Sequence, residues 1–228
     1  MTTAVYFDLD GTLCSYAVPF EEQFESTVAP YGEPSEAAYD AYVDRLLDAL
    51  DSCESEPYRR AFEAVTDRIP LDVTPETLAR EYCEVEREAS VVSADTRRVL
   101  DRVAKTAPIG ILTNGDDRQQ RSKLEHHGLA EAVDEVIVSN GVDVRKPDRR
   151  IFDLAKARLP ADDYVYVGDS YEEDVLGARQ AGFRTVYVTA NDEPADVEAA
   201  DAVVSSVGDL LEPESLPASI RPTFRTTS

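Results

Sequence analysis

Apolar and polar positions follow two different rhythms along this chain, and the change between them divides it. Val5-Tyr6-Phe7 is a short apolar, β-favouring run that stops at Asp8-Leu9-Asp10-Gly11-Thr12, the pattern of a buried strand ending in a polar turn. Over residues 15–91 the strand pattern is absent. Tyr39, Tyr42, Val43, Leu46, Leu47 and Leu50 recur at helical spacing among Glu, Asp and Arg, which predicts an amphipathic helix. Tyr58, Phe62, Val65 and Ile69 predict another, and Thr74 as N-cap with Pro75 at the first helical position opens one carrying Leu78, Tyr82 and Val85.

From Ser93, which can cap a helix bearing Val99, Leu100 and Val103, helix and strand alternate. The predicted strands are Ile109 to Leu112, Val136 to Val138, Tyr164 to Val167, Thr185 to Val188 and a short one at Ala202 to Val204. Strands alternating with helices imply an α/β fold with a doubly wound parallel sheet. The expected organisation is an α/β core from residues 1–14 and 92–212, a helical insert at 15–91, and a loose tail at 213–228. There Pro213, Pro217 and Pro222 stand among serines and threonines without visible periodicity.

Composition narrows the setting. A chain of 228 residues can bury one large core, with or without an inserted unit. No apolar run approaches the roughly 18 residues of a membrane helix, and removal of a signal peptide would take Asp8 with it, so a soluble, cytoplasmic protein is expected. With 46 acids against 23 bases the formal charge is −23, and Lys105, Lys123, Lys146 and Lys156 are the lysines. An acidic, lysine-poor surface resembles that of proteins from salt-accumulating halophiles. At about 1 M salt the screening length is roughly 3 Å, so repulsion that would loosen the fold in dilute buffer is suppressed. An ordinary acidic protein is the other reading; either field repels nucleic acid. Cys14, Cys53 and Cys83 are odd in number and far apart, neither a disulfide framework nor a zinc site. Cys14 either lines a pocket or is a small buried hydrophobe.

The candidate chemistry lies at the carboxyl ends of the predicted strands, where doubly wound sheets bind ligands. Asp8 and Asp10 follow the first strand, Thr113 and Asn114 the second, Lys146 the third and Asp169 the fourth. One carboxylate of a closely spaced pair can attack a reacting group while its neighbour handles the proton.

Asp8-Leu9-Asp10-Gly11-Thr12 resembles motif I of the haloacid dehalogenase superfamily, and the resemblance extends through the core in motif order. Thr113 matches the hydroxyl of motif II, Lys146 in Arg145-Lys146-Pro147 the lysine of motif III, and Gly168-Asp169-Ser170 with Asp174 the acidic motif IV. The resemblance implies that Asp8 forms an aspartyl-phosphate, that Asp10 protonates the leaving oxygen and then activates water, and that Thr113 and the amide of Asn114 hold phosphate oxygens. Lys146 would neutralise charge on the nucleophile and the transferring group. Asp8, Asp10, Asp169 and Asp174 beside a phosphate dianion need more positive charge than Lys146 supplies. That points to Mg²⁺ on the carboxylates of Asp8 and Asp169 and the backbone carbonyl of Asp10. Asp174 either holds a metal-bound water or caps the next helix, and Ser170 is similarly open. The insert at 15–91 would be a cap that closes over the site and sets substrate choice.

The function this implies is Mg²⁺-dependent hydrolysis of a small phosphorylated metabolite, with no nucleic-acid or membrane partner and an oligomeric state of monomer or homodimer. A sugar phosphomutase would share every motif. A dehalogenase needs no acid in the position of Asp10, and a phospho-accepting signalling module lacks both the paired aspartates and the long insert. Arg145 either touches substrate or is solvated; Tyr16 packs or touches substrate. His126 and His127 are read as helix-end residues, and Asp116 and Asp117 as serving the N-terminus of their helix.

Overall fold

In the computed structural model, which describes residues 2–190 and 197–225, the apolar run after Met1 forms strand β1, Thr3–Phe7. A two-residue strand β2 (Ser15–Tyr16) leads into helices α1 (Phe20–Val28), α2 (Glu36–Asp51), α3 (Pro57–Thr66) and α4 (Pro75–Ala89). Then come β3 (Ser90–Val91), α5 (Ala94–Val103), β4 (Ile109–Thr113), α6 (Asp117–His126), β5 (Glu135–Val138), the single turn α7 (Ser139–Val142) and α8 (Arg149–Arg158). After β6 (Asp163–Gly168) a π-helical segment, Tyr171–Leu176, runs into α9 (Gly177–Gln180), followed by β7 (Arg184–Val188), β8 (Ala202–Val204) and α10 (Arg221–Phe224).

Six strands form a parallel sheet in the order β5-β4-β1-β6-β7-β8. Side chains alternate across β1, so Val5 and Phe7 enter one core with Val99, Leu100 and Val103 of α5, while Ala4 and Tyr6 enter the other with Ile151, Phe152 and Ala155 of α8. The sheet is covered on both faces, which is why its strands read as continuous apolar runs. β1 lies between β4 and β6, with Phe7 level with both Ile111 and Val167. The chain crosses from one half of the sheet to the other here, so the crevice at the carboxyl ends of these three strands is the expected ligand position.

Helices α1 to α4 pack on one another around a separate cluster that contains Phe24, Tyr42, Phe62 and Tyr82. The rings of Tyr42 and Phe62 lie 4.8 Å apart and those of Tyr42 and Tyr82 5.0 Å apart, which places a group of packed rings among its aliphatic side chains. Ser35, Thr74 and Ser93 cap their helices with side-chain oxygens, the latter two as their positions predict.

The structure corrects two expectations. Strands occur at the ends of the 15–91 stretch, where Ser15 pairs with Val91 and Tyr16 with Ser90, so both ends of the helical segment leave the sheet side by side. Two residues are too few to show a period in sequence. The expected loose tail also fails for residues 213–225: Leu216, Ile220 and Phe224 are buried in the α5-side core, and Phe224 is completely enclosed. Residues 226–228 of that expectation lie outside the described residues.

Candidate active site

Asp8 stands one residue beyond β1, its N–H donating to Val167 O at 2.9 Å and so extending the sheet ladder to the edge of the crevice. Lys146, only 2 % exposed, donates from Nζ to Asp8 Oδ1 at 2.8 Å, Asp174 Oδ1 at 2.6 Å and the Tyr166 hydroxyl at 2.9 Å, using every proton it has. Tyr166 in turn donates to Leu112 O at 2.5 Å, fixing the lysine against β4. Asp169 accepts from Thr12 Oγ1 at 2.8 Å, and Asp174 Oδ2 accepts from Ser170 N at 2.9 Å. Gly11 is required where it stands. Its φ is +83°, and a Cβ there would lie 2.1 Å from Asp169 Oδ2.

Asp8, Asp169 and Asp174 each present an oxygen within 4.8 Å of the other two. Three carboxylates against one ammonium leave net negative charge in a buried place. Burial pushes the Asp8 carboxyl up to about 7; Lys146 opposes this, and Asp174 and Asp169 add to it. Asp169 is raised as well, chiefly by burial, against the pull of the Thr12 hydrogen bond. Burial alone would depress Lys146, but Asp174 and Asp8 outweigh it and hold the lysine well above its ordinary value.

Asp10 faces a different set of partners. Its Oδ1 accepts from the Tyr16 hydroxyl at 2.7 Å and from Lys123 Nζ at 2.7 Å, and its Oδ2 accepts from Lys123 at 2.8 Å and Gln120 Nε2 at 2.8 Å. Burial would raise its proton affinity; Lys123, with the Gln120 and Tyr16 hydrogen bonds, outweighs burial and holds the carboxyl below the usual carboxylate range. Asp10 therefore rests as a carboxylate held by a set of donors separate from those of the acidic trio.

Thr113 and Asn114 end β4 beside these groups. Thr113 is 1 % exposed, and its Oγ1 accepts from Gln120 at 3.2 Å. The Asn114 side chain is engaged elsewhere: Oδ1 accepts from Lys146 N at 2.9 Å, while Nδ2 donates to Lys146 O at 3.0 Å and Glu173 Oε2 at 2.8 Å. It clamps the backbone that carries Lys146. All the candidates at the strand ends thus meet in one crevice, in two groups centred on Lys146 and Lys123.

Other candidates resolve individually. Arg145 is ion-paired with Glu173 at 2.7 Å and with Asp51, so it bridges the core and α2. His127 Nε2 lies 2.7 Å from Ser90 Oγ at the end of α6. Asp116 caps α6 through Gln119 N, and Asp117 pairs with Arg121. Cys14 is buried, with burial pushing its thiol up to about 11, as suits a small core residue.

Sequence reasoning missed Lys123, Gln120, Gln119 and Glu86, and left Tyr16 unassigned. A signal was present. α6 reads Asp-Arg-Gln-Gln-Arg-Ser-Lys-Leu-Glu-His, with Leu124 its one large apolar residue, yet it must pack somewhere; its buried face is Gln119, Gln120, Lys123 and Leu124. A helix in an α/β core that is polar on its buried face is answering polar partners.

The sequence pattern of a family described as hydrolase, haloacid dehalogenase-like hydrolase, matches residues 2–182. A pyrimidine 5′-nucleotidase of Escherichia coli strain K12 is 28 % identical over 197 residues, spanning 82 % of this chain and 86 % of its own. A ribulose-1,5-bisphosphate 5-phosphatase of Halopiger xanaduensis is 29 % identical over 220 residues, 88 % of this chain and 90 % of its own. Among solved structures, a phosphatase of the same family from Thermococcus onnurineus superimposes with a TM-score of 0.72 at 27 % identity, covering 94 % of this chain and 98 % of that one.

Proposed function

Because the chain belongs to the haloacid dehalogenase-like hydrolase family, we propose that it hydrolyses a small phosphate monoester through an aspartyl-phosphate on Asp8. The observation that carries this reading is the arrangement about Asp8: a buried carboxylate held by Lys146, in an acidic group with Asp169 and Asp174, with a second carboxylate two residues on in a separate set of donors. The relatives support the coarse class, since their named substrates are small phosphorylated metabolites.

The acidic trio fits a hard divalent cation, because its charge exceeds what Lys146 balances and its donors are all oxygens. Mg²⁺ held by the carboxylates of Asp8 and Asp169 and the backbone carbonyl of Asp10 would supply positive charge against the transferring phosphoryl group. Both Asp174 oxygens are already engaged, by Lys146 and Ser170 N, so we assign Asp174 to holding the lysine and the motif IV turn rather than to direct ligation.

In the first half-reaction an Asp8 oxygen bonds to phosphorus as the ester P–O bond breaks, and the leaving oxygen takes a proton from Asp10 to depart as the alcohol. In the second, water bonds to phosphorus, gives a proton back to Asp10, and the Asp8–phosphorus bond breaks to yield inorganic phosphate. Lys146 stays against Asp8 throughout and Thr113 offers its hydroxyl to the phosphoryl oxygens. A phosphate dianion arriving near Asp10 raises that residue's affinity for the proton it must donate, offsetting the pull of Lys123. Helices α1 to α4, which reach Tyr16 of β2 at the crevice through Glu86 of α4, itself bonded by Tyr58 of α3, would act as the cap that excludes water and sets substrate choice.

Hydrolysis of 4-nitrophenyl phosphate in KCl buffer, with and without Mg²⁺, tests this. Metal-dependent phosphate release by the wild type supports the reading. Folded protein inert toward this ester and toward a panel of sugar phosphates, nucleotides and phosphorylated hydroxy acids contradicts it.

A further inference from the structure

Lys123 supplies no reacting atom to the chemistry just described, yet it is 1 % exposed in a chain with 23 basic residues, most of which stay near solvent. A buried ammonium is costly unless it is paired, so its partners define its role. They come from two separate parts of the molecule. One is Asp10, gripped at 2.7 and 2.8 Å on both carboxylate oxygens; the other is Glu86 of α4, with Oε1 3.5 Å from the same Nζ. Among the described residues Lys123 is the one cation paired with either acid.

Glu86 is itself 5 % exposed and collects neutral donors around the lysine. Tyr58 of α3 donates to Oε2 at 2.8 Å and Gln119 of α6 at 3.2 Å, while the Tyr16 hydroxyl, 3.1 Å from Oε1, accepts from Lys123 and donates its one proton to Asp10 or Glu86. Gln120, on the same face of α6 as Lys123, ties Asp10 Oδ2 to Thr113 Oγ1. The helical layer is therefore keyed into the core at this point by a satisfied polar plug with Lys123 at its centre.

We propose that Lys123 is a positioning residue for Asp10, and that Glu86, by sharing the lysine, makes the orientation of Asp10 depend on the seating of α4 against α6. The proposal rests on the phosphatase reading and deepens it. With α4 seated, Lys123 lies between two acids and Asp10 is held at a fixed angle to the crevice. With Glu86 withdrawn, Lys123 is left to Asp10 alone, and the carboxyl is drawn toward α6 and away from the leaving oxygen. Proton delivery would then be effective only while the helical layer covers the site.

The test separates proton delivery from general damage by using two esters that share one ring: 4-nitrophenyl phosphate, whose leaving group departs readily as the anion, and phenyl phosphate, whose leaving group needs the proton. Both are assayed for kcat/KM, which reports formation of the aspartyl-phosphate, with wild type, Asp10→Asn, Lys123→Met, Glu86→Gln and the charge-neutral double variant Glu86→Gln/Lys123→Met. The proposal expects Lys123→Met to lose about tenfold more on phenyl phosphate than on 4-nitrophenyl phosphate, in the same sense as Asp10→Asn, and Glu86→Gln to show the same bias at about threefold. If Lys123→Met fails to fold by circular dichroism, the double variant, which removes one acid together with the lysine and leaves Asp10 its Tyr16 and Gln120 hydrogen bonds, must show the phenyl-selective loss. Equal losses on the two esters in a folded variant overturn the proposal while leaving the phosphatase reading intact. A folded wild type inert to both esters and to the panel of sugar phosphates, nucleotides and phosphorylated hydroxy acids overturns that reading, and the proposal with it.

Discussion

Two lysines are buried at the mouth of the crevice, and each is shared by carboxylates from different elements, but their surroundings differ in one decisive respect. Around Lys146 stand Asp8 and Asp174 in direct contact and Asp169 beside them, with the Tyr166 hydroxyl accepting from the lysine and Thr12 donating to Asp169. Around Lys123 stand Asp10 and Glu86, with Tyr16, Tyr58, Gln119 and Gln120 supplying hydrogen bonds to both. The first centre carries excess negative charge and the second is closer to balance. Burial, reinforced by the neighbouring acids, raises the proton affinity of Asp8 and leaves a charge that a divalent cation would balance; Lys123 and its fellow donors outweigh burial at Asp10 and keep it a carboxylate. The paired aspartates of one turn thus acquire different chemistries from their partners rather than from their sequence.

The largest expected effect is on turnover. Asp8→Asn is nearly isosteric and should lower phosphate release by at least about 10³-fold with the fold unchanged by circular dichroism. The same variant, without metal at pH 8, should melt at a higher temperature than wild type, because it removes one of three mutually repelling carboxylates. Stability separates the two centres next. Lys146→Met leaves its acids with no cation and should cost about 3–5 kcal/mol in denaturant unfolding without metal; Lys123→Met, with more neutral donors around fewer acids, should cost less. Equal costs would dissolve the distinction between the centres.

A pH series sharpens it further. Asp8 in the folded protein holds its proton up to about 7 instead of the ordinary 3.8, so the native state binds a proton that the unfolded chain has released. Stability of the metal-free protein should fall as pH rises from about 4 to about 7 and stay lowered above that. The difference between wild type and Asp8→Asn isolates this contribution. Asp10 is shifted the opposite way, so its contribution is present above its unfolded pKa and is lost only as pH drops below the usual carboxylate range, outside that window. Smallest and least local is the salt effect: with a formal charge of −23, melting temperature should rise with KCl, equally for wild type and for the site variants.

The Lys146 centre was legible in the sequence because its residues terminate apolar strands. Asp8 and Asp169 stand one residue past a β run, Thr113 ends one, and Lys146 lies in the connection after β5; the register of a parallel sheet brings such ends together. The Lys123 centre was not, because Gln and Lys on a helix normally face water, and the acid they answer, Glu86, is set in a helix rich in Glu and Arg. Only packing shows that α4 turns that one acid inward. The C-terminal segment hid for another reason. Leu216, Ile220 and Phe224 recur every fourth residue, but Pro217 and Pro222 between them mask a spacing that the core nonetheless uses. The two-residue pairing of β2 with β3 is fixed by where the helical segment begins and ends in space.

On the phosphatase reading proposed above, Asp8 carries the phosphoryl group. Asp10→Asn protein, mixed with Mg²⁺ and 4-nitrophenyl phosphate, quenched in acid and digested, should yield a peptide spanning Asp8 with phosphate bonded to that residue, since the weakened base leaves the intermediate to accumulate. Steady release of phosphate by this variant with no phosphorylated peptide at any quench time would contradict the account.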